Sequence, residues 1–256
     1  MNYRETCEYL FGQTANYERQ GASGYKPGIE TSMALDNRFG RPHTHFRSIH
    51  VGGTNGKGSV SHLLAALLQC SGCRVGLYTS PHLLDFSERI RVNGEPIGED
   101  YVVKFVEDNR SFFDRMKCSF FEIATAMAFK YFSDAGVDIA VVEVGLGGRL
   151  DCTNIITPEL SVITNVSLDH TRLLGGSVEL IAAEKGGIIK PRVPVVIGEC
   201  TAQTRPVFET LARAAGSQIT FAADEPEILS WHSAQGGFIH YSTRHFGEFE
   251  IGRAHV

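Results

Sequence analysis

The chain of 256 residues has no long hydrophobic run, because it contains no stretch of about 18 uninterrupted apolar residues. We therefore expect no transmembrane helix and no membrane partner. The first residues, MNYRETCEYLFGQ, also lack the apolar core of a secretory signal and carry Glu5 and Glu8. A net charge of −5 provides no basic field for nucleic acid, although cations concentrated in one cleft can still bind a smaller anion.

Cysteine is sparse and scattered, which excludes a dense disulfide framework. Among the six cysteines only Cys70 and Cys73 have a C-x-x-C spacing, and no second pair completes a zinc site. Reduced thiols in a cytoplasmic protein fit this distribution best. The chain also lacks internal repeats and low-complexity linkers, so ordinary globular packing is expected.

Alternating strand and helix patterns predict an α/β fold of the P-loop NTPase type. Such alternation is typical of a mostly parallel sheet with right-handed crossovers and helices on its faces. After residue 225 the pattern changes to alternating residues around Gly236 and Gly237, which predicts a small antiparallel hairpin. The predicted strands are 47–52, 74–79, 89–92, 138–144, 160–164, 193–197 and 218–221, and the predicted helices are 2–19, 29–39, 60–69, 99–116, 120–135, 178–186 and 202–215.

A glycine-rich segment, GTNGKGS at 53–59, follows the first of these strands and precedes a helix. This order is typical of a P-loop, whose glycines let backbone N–H groups approach phosphates while the helix N-terminus adds unpaired donors. Lys57 would then reach the outer phosphates, and Ser59 would bind Mg²⁺. The strict G-x-x-x-x-G-K-[ST] pattern is broken because Gly58 separates these two residues, so a glycine-rich turn without phosphate remains the alternative.

Three further candidates lie at or after the carboxyl ends of predicted strands. Parallel strands bring these ends to one edge of the sheet, where ligands gather. Ser80 begins a Ser-Pro-His segment and could bind Mg²⁺ or simply form a turn. Glu143 lies in an apolar segment, where a carboxylate needs either a metal or an ion pair with a residue such as Arg149. Asp169 and His170 follow the next strand, where metal ligation competes with a structural role for the histidine.

Lys185 is a fourth candidate, in the segment AAEKGGIIKP near a helix end. A solvated lysine at a helix C-terminus is stabilised by the helix dipole. The spacing alone therefore favours a structural role for this residue.

Five ordered segments together resemble the folylpolyglutamate synthase / dihydrofolate synthase family of Mur-type ATP-dependent ligases. They are GTNGKGS, YTSPHLLDFSERIRVNG, EVGLGGRLDCTN, TNVSLDHTRLLG and IAAEKGGIIKP, and they span roughly residues 20–200. The resemblance implies an ATP-dependent ligase that joins L-glutamate to folate, or to dihydropteroate, through an acyl phosphate with release of ADP and phosphate. It also implies a monomer.

The resemblance implies a set of site residues as well. Lys185 would be carbamylated and, with Lys57 and His170, would take part in catalysis. The substrate residues depart from the usual family pattern at two of four positions, Ser119 and Cys152, where Thr and Ala are usual; both changes are small. The implied residues are Thr54, Asn55, Gly56, Lys57, Gly58 and Ser59 for ATP; Ser59, Ser80, Glu143 and His170 for two Mg²⁺ ions; and Ser119, Phe121, Asp151 and Cys152 for the pterin.

The resemblance further predicts the domain organisation. Residues 1–249 would form an incomplete ATP-binding domain, and the family's C-terminal Rossmann-like domain would be absent. A chain of that kind is expected to be inactive alone. Apart from the resemblance, residues 250–256 (EIGRAHV) break the alternating pattern, which predicts a non-native tail, with a natural frayed tail as the alternative. Two alternatives stay open, a Mur-type ligase acting on a cell-wall precursor and a non-catalytic P-loop module that only binds nucleotide.

Overall fold

The computed structural model describes residues 1–20, 28–224, 227–233, 238–245 and 247–251, without the side chains of 13–20. The chain divides into two compact units, Met1–Thr220 and Phe221–Val256. The predicted domain 1–249 spans both units, and its limits stay a prediction.

Eight strands form one sheet, and the bounds of seven of them lie within two residues of those expected from the sequence. The strands are β1 (Arg47–Gly52), β2 (Val75–Tyr78), β3 (Ile90–Val92), β4 (Glu95–Pro96), β5 (Ile139–Glu143), β6 (Leu160–Ile163), β7 (Val195–Ile197) and β8 (Ile219–Phe221), of which β4 was not predicted.

The sheet order is β4-β3-β2-β5-β1-β6-β7-β8. The pairs β2–β5, β5–β1, β1–β6 and β6–β7 are parallel, whereas β3 runs antiparallel to both β2 and β4. The predicted mostly parallel sheet is therefore confirmed. Strand β1 lies between β5 and β6, so residues that follow these three strands meet at the centre of one sheet edge.

Helices cover the sheet, and several begin and end at residues with clear capping chemistry. The helix over 120–135 starts at a capping box made by Ser119 and Glu122 and stops at Gly136, which has a left-handed backbone. The helices are α1 (Tyr3–Gln20), α2 (Glu30–Arg38), α3 (Lys57–Cys70), α4 (Glu99–Met116), α5 (Phe120–Ala135), α6 (Thr171–Leu174), α7 (Val178–Gly186) and α8 (Arg205–Ala215).

The central strands are buried on both faces, as the continuous apolar pattern of β5 predicts. On one face, α3 packs its Leu64 and Leu68 against a cluster that includes Val51 and Val141. A second, larger cluster includes buried side chains of α4 and α5 together with Tyr78 and Val142. These two clusters fix the sheet and thereby the start of α3 at the end of β1.

A glycine in β2 allows the close approach of an aromatic ring from α5. A Cβ atom at Gly76 would lie 2.8 Å from Cδ1 of Phe132, which is fully buried. We expect Gly76→Ala to lower the free energy of unfolding by about 1–3 kcal/mol, because the ring has no space to retreat. Urea unfolding measures the change. Gly98→Ala is the control, since nothing lies within 4 Å of its Cβ; an equal loss in both variants would contradict the packing explanation.

The second unit contains a three-stranded antiparallel sheet. Its strands are β9 (Ile228–Ser233), β10 (Ile239–Thr243) and β11 (Gly247–Ile251), in the order β11-β10-β9. The expected small antiparallel region is confirmed, with one more strand than a hairpin. The predicted turn at 236–237 lies outside the described residues, and so do residues 252–256; residues 250 and 251 belong to β11. The tail at 250–256 thus stays a prediction.

None of the helices in the described part of the chain combines the length and the apolar character that a membrane span requires.

Candidate active site

The P-loop connects β1 to α3 and depends on glycine at two positions. Gly53 has a φ of +142°, and a Cβ atom there would lie 1.9 Å from Oγ1 of Thr164. Gly56 has a φ of +78° and directly precedes Lys57, the first residue of α3. The loop therefore adopts a backbone that L-residues with side chains rarely reach, and its amides surround the start of a helix.

Two residues that the sequence analysis did not assign to the site hold this loop in place. Thr164 Oγ1 donates a hydrogen bond to the Asn55 carbonyl at 2.6 Å. The side-chain oxygen of Asn165 accepts from the Asn55 amide at 3.0 Å, and the Asn165 carbonyl accepts from the Thr54 amide at 3.0 Å. The available signal was a polar Thr-Asn pair at the end of an apolar strand, the same signal that identified Glu143.

Two lysines from different helices converge on one carbonyl of the P-loop. Lys57 Nζ donates to the carbonyls of Gly53 and Thr54, both at 3.1 Å. Lys185 Nζ, from the last turn of α7, donates to the same Gly53 carbonyl at 2.8 Å. Lys185 is only 4 % exposed. The alternative of a solvated lysine at a helix end is therefore wrong.

The environment of Lys185 changes its acidity. The pKa of its amine is lowered to about 8, mainly by burial and then by the charge of Lys57, while the charge of Asp169 opposes both effects. The amine is therefore partly neutral near physiological pH, which an ordinary lysine is not. A neutral amine is a nucleophile, whereas the protonated amine of an exposed lysine is not.

Glu143 is a buried carboxylate at the carboxyl end of β5. It is 3 % exposed, and its Oε2 accepts a hydrogen bond from the Ser80 amide at 3.0 Å. Oε2 also lies against the start of α3, 3.7 Å from where a Cβ of Gly58 would be. Burial raises the pKa of Glu143, while the Ser80 amide and the charges of Lys57 and Arg89 lower it. The carboxylate therefore faces the P-loop.

The predicted alternative for Glu143, an ion pair with Arg149, is wrong. Arg149 instead forms an ion pair with Glu184 at 2.8 Å, donating from Nη2 and, at 3.1 Å, from Nε. In the described part of the chain no group of three His, Cys, Asp or Glu side chains could hold a metal ion. A cation beside Glu143 would therefore need hydroxyls, phosphate oxygens and water as its other ligands.

The other predicted metal ligands are Ser80, Ser59 and His170. Ser80 follows β2 and contacts Glu143 through its amide, and Ser59 is exposed in the first turn of α3. His170 begins α6 with a φ of +48°, and its Nε2 lies 3.6 Å from Oδ2 of Asp169. The charge of Asp169 raises the pKa of Lys185, and metal ligation by His170 stays a prediction.

Two of the four predicted substrate residues have clear structural roles. Ser119 caps α5, since its hydroxyl accepts from the Glu122 amide at 3.3 Å while Glu122 Oε2 accepts from the Ser119 amide at 2.7 Å. The Phe121 ring packs on Gly145, where a Cβ would lie 2.4 Å from Cζ, and its centroid is 5.9 Å from that of Tyr78. Their contact with a substrate stays a prediction.

The other two, Asp151 and Cys152, are held by their own loop. Asp151 is 5 % exposed, and its carboxylate accepts from the amides of Leu146 at 2.8 Å and Thr153 at 3.0 Å, and from the Thr153 hydroxyl. Burial raises the pKa of the Cys152 thiol well above its usual value, and the charges of Asp151 and Glu122 add to this effect. Their substrate role also stays a prediction.

Known proteins are similar to this chain in both sequence and fold. Residues 51–251 match the family described as Mur ligase middle domain. The folylpolyglutamate synthase of Lacticaseibacillus casei is 40% identical over 225 residues, which cover 85% of this chain and 51% of that protein. The dihydrofolate synthase/folylpolyglutamate synthase of Bacillus subtilis is 42% identical over 190 residues, covering 72% and 43%. The chain thus spans about half the length of the curated relatives it matches.

Solved structures of folylpolyglutamate synthases are also similar to this chain. The folylpolyglutamate synthase of Thermotoga maritima superposes with a TM-score of 0.80 at 39% identity, over 97% of this chain and 56% of that chain. A complex of FPGS with AMPPCP and folate superposes with a TM-score of 0.83 at 35% identity, over 98% and 62%. The family expected from the five sequence segments is confirmed, and the chain belongs to the Mur ligase middle-domain family, among relatives named folylpolyglutamate and dihydrofolate synthases.

Proposed function

We propose that this chain is the ATP-binding part of an ADP-forming ligase that adds L-glutamate to folate or dihydropteroate. The observation that carries the proposal is the convergence of Lys57 and Lys185 on the Gly53 carbonyl, together with the buried carboxylate of Glu143 at the start of α3. Cations and amides at the mouth of a P-loop suit a triphosphate. The names of the relatives, and the folate and AMPPCP in one solved FPGS complex, support the substrate class.

The reaction consists of two displacements. The substrate carboxylate attacks the γ-phosphorus of ATP and the bond to the bridging oxygen of the β-phosphate breaks, which gives an acyl phosphate and releases ADP. The neutral amine of glutamate then attacks the acyl carbon, phosphate leaves, and the nitrogen loses a proton. The amides of residues 54–59 and the ammonium group of Lys57 would hold the phosphates and offset the charge of the first step.

The residues around Glu143 fit Mg²⁺. A carboxylate that is 3 % exposed and contacts the start of α3 is favourable only if a positive charge lies near it. Glu143, with the hydroxyls of Ser59 and Ser80, would hold one ion, and His170 would help to hold a second. Mg²⁺ would supply neutralisation of the phosphate charge, and the oxygen-rich ligand set suits it.

Lys185 fits carbamylation. Its neutral amine would attack carbon dioxide, form an N–C bond and lose a proton, which turns a cation into a carbamate anion. Because the reactive form is the neutral amine, the carbamate is favoured as the pH rises through the lysine pKa of about 8. An anion at this position would attract Lys57 and a metal ion, whereas two ammonium groups repel each other.

The two alternatives are less well supported. A module that only binds nucleotide requires neither a buried lysine with a lowered pKa nor a buried glutamate at the start of the P-loop helix. A cell-wall precursor ligase is less consistent with relatives named for folate substrates. A cytoplasmic monomer belongs to the same proposal, and six free thiols support a reducing compartment.

The test has a binding arm and a reaction arm. Calorimetry of the 256-residue chain with AMPPCP, with and without Mg²⁺, should show binding that Mg²⁺ strengthens. The full-length protein should form ADP and a glutamylated product when ATP and glutamate are supplied with tetrahydrofolate or dihydropteroate, detected by mass spectrometry. Product from a UDP-muramoyl acceptor in place of these compounds, or absence of nucleotide binding, would contradict the proposal.

A further inference from the structure

A buried polar chain lies beneath the candidate site, and the proposed reaction does not use it. His50, in the middle of β1, is 0 % exposed, and its Nε2 is 2.8 Å from the hydroxyl oxygen of Thr153. The Thr153 hydroxyl in turn donates to Oδ1 of Asp151. Three buried side chains therefore connect the central strand of the sheet to the loop 145–153.

The direction of these hydrogen bonds is determined by the chemistry of the groups. Oδ1 of Asp151 also receives the Thr153 amide, so it is the acceptor, and the Thr153 hydroxyl proton points to it. The Thr153 oxygen must then accept from His50, which places the histidine proton on Nε2. Burial, and to a smaller extent the charge of Lys190, lower the pKa of His50 to about 3, so this histidine is neutral.

The arrangement leaves one polar atom of His50 without a partner. Nδ1 is buried and has no hydrogen-bond partner in the described part of the chain. Such an atom reduces stability compared with an apolar side chain of the same size. Packing alone would therefore favour leucine or phenylalanine at this position, and the hydrogen bond from Nε2 is the feature that a histidine adds.

The loop 145–153 contacts several groups of the candidate site. It begins two residues after Glu143, and Gly145 supports the Phe121 ring. At Gly148 a Cβ atom would lie 2.8 Å from the Lys185 carbonyl oxygen and 3.1 Å from its Cα. A shift of this loop would therefore change the surroundings of Glu143, Phe121 and Lys185 together.

The proposed nucleotide contacts belong to the P-loop and not to the loop 145–153. The P-loop follows β1 directly, and its conformation depends on Thr164 and Asn165. His50 makes no hydrogen bond to the P-loop among the described residues, although it lies only three residues before Gly53. The loss of His50 should therefore affect the loop 145–153 more than the phosphate-binding backbone.

We propose that His50 is a positioning residue that holds the loop 145–153 against β1 through Thr153 and Asp151, and thereby sets the place of the pterin-bearing carboxylate substrate relative to the γ-phosphate. The proposal rests on the proposed function. It assigns to His50 an effect on the acyl substrate and none on nucleotide affinity.

His50→Leu in the full-length protein should raise the KM for dihydropteroate or tetrahydrofolate at least about tenfold, while the Kd for AMPPCP stays within about twofold. His50→Gln should restore KM to within about threefold of the wild type, because the amide nitrogen of glutamine replaces Nε2–H. Thr153→Val should resemble His50→Leu, and the double variant should be no worse than either, because both changes break one chain.

Ser161→Ala is the matched control. Ser161 lies opposite His50 on β6, is 0 % exposed, and donates to the Ile188 carbonyl at 2.9 Å. It should lower the thermal midpoint and leave KM unchanged. If His50→Leu proves insoluble, Thr153→Val supplies the same measurement.

The inference is overturned if the wild type forms product and His50→Leu has a wild-type KM, if His50→Gln is as impaired as His50→Leu at equal thermal stability, or if the effects of His50→Leu and Thr153→Val add. A wild-type protein that binds AMPPCP but forms no glutamylated product from either acceptor would instead contradict the proposed function, and the inference with it.

Discussion

Replacing Lys57 by methionine is expected to weaken the binding of AMPPCP at least about 100-fold, equal to about 2.7 kcal/mol. Lys57 is the first residue of α3, and its amine already lies over the P-loop, within 3.1 Å of two of its carbonyls. Methionine keeps most of the side-chain length and removes the charge. Isothermal titration calorimetry of the 256-residue chain measures the loss.

Lys104→Met is the matched control for this experiment. Lys104 is exposed on α4, where it pairs with Asp108 at 2.8 Å, so its replacement removes one positive charge without touching the P-loop. Its Kd should stay within about twofold of the wild type. If Lys57→Met bound AMPPCP as tightly as this control, the phosphate-binding role of the loop would be wrong.

Replacing Lys185 by alanine is expected to lower ADP formation in the full-length protein at least about 1000-fold, and added acetate is expected to restore part of it. The alanine leaves a space beside the Gly53 carbonyl, in which a small carboxylate can take the position of the carbamate. A steady-state assay over a range of acetate concentrations measures both effects. The loss corresponds to about 4 kcal/mol of transition-state stabilisation.

Lys185→Met separates a chemical rescue from a general effect of acetate. Methionine removes the amine but fills the space, so acetate should not restore activity to this variant. Full activity of Lys185→Ala without any additive would exclude a carbamate. Equal rescue of the alanine and methionine variants would show that acetate acts elsewhere.

Many of the strands and helices could be predicted because neighbouring residues in the sequence determine where they begin and end. β1 and the helices α4, α5 and α7 have the predicted bounds. For α5 and α7 the reason lies in the caps: the Ser119 and Ser177 hydroxyls accept hydrogen bonds from first-turn amides, and the Glu122 side chain accepts from the Ser119 amide. The P-loop could also be predicted from local sequence, since its glycines, its lysine and the following helix are adjacent in the chain.

The predictions that were wrong or missing concern contacts between residues far apart in the sequence. A lysine near a helix end is normally exposed to solvent. Lys185 is buried because α7 packs beside the P-loop. The expected partner of Glu143, Arg149, is taken by Glu184, which lies 35 residues further along the chain. Thr164 and Asn165 were missed because a Thr-Asn pair carries no phosphate signature by itself; only its contact with Asn55 shows its role.

The lowered pKa of Lys185 also gives it a larger share of neutral amine, the form that reacts to give imines, than an ordinary lysine has. At pH 7.5 an amine with a pKa of about 8 is neutral in roughly a quarter of molecules, against about a thousandth for an ordinary lysine. An aldehyde that carries a phosphate group would be guided by the P-loop amides to this amine. Dissolved carbon dioxide would compete for the same lone pair, so bicarbonate would protect the residue from labelling.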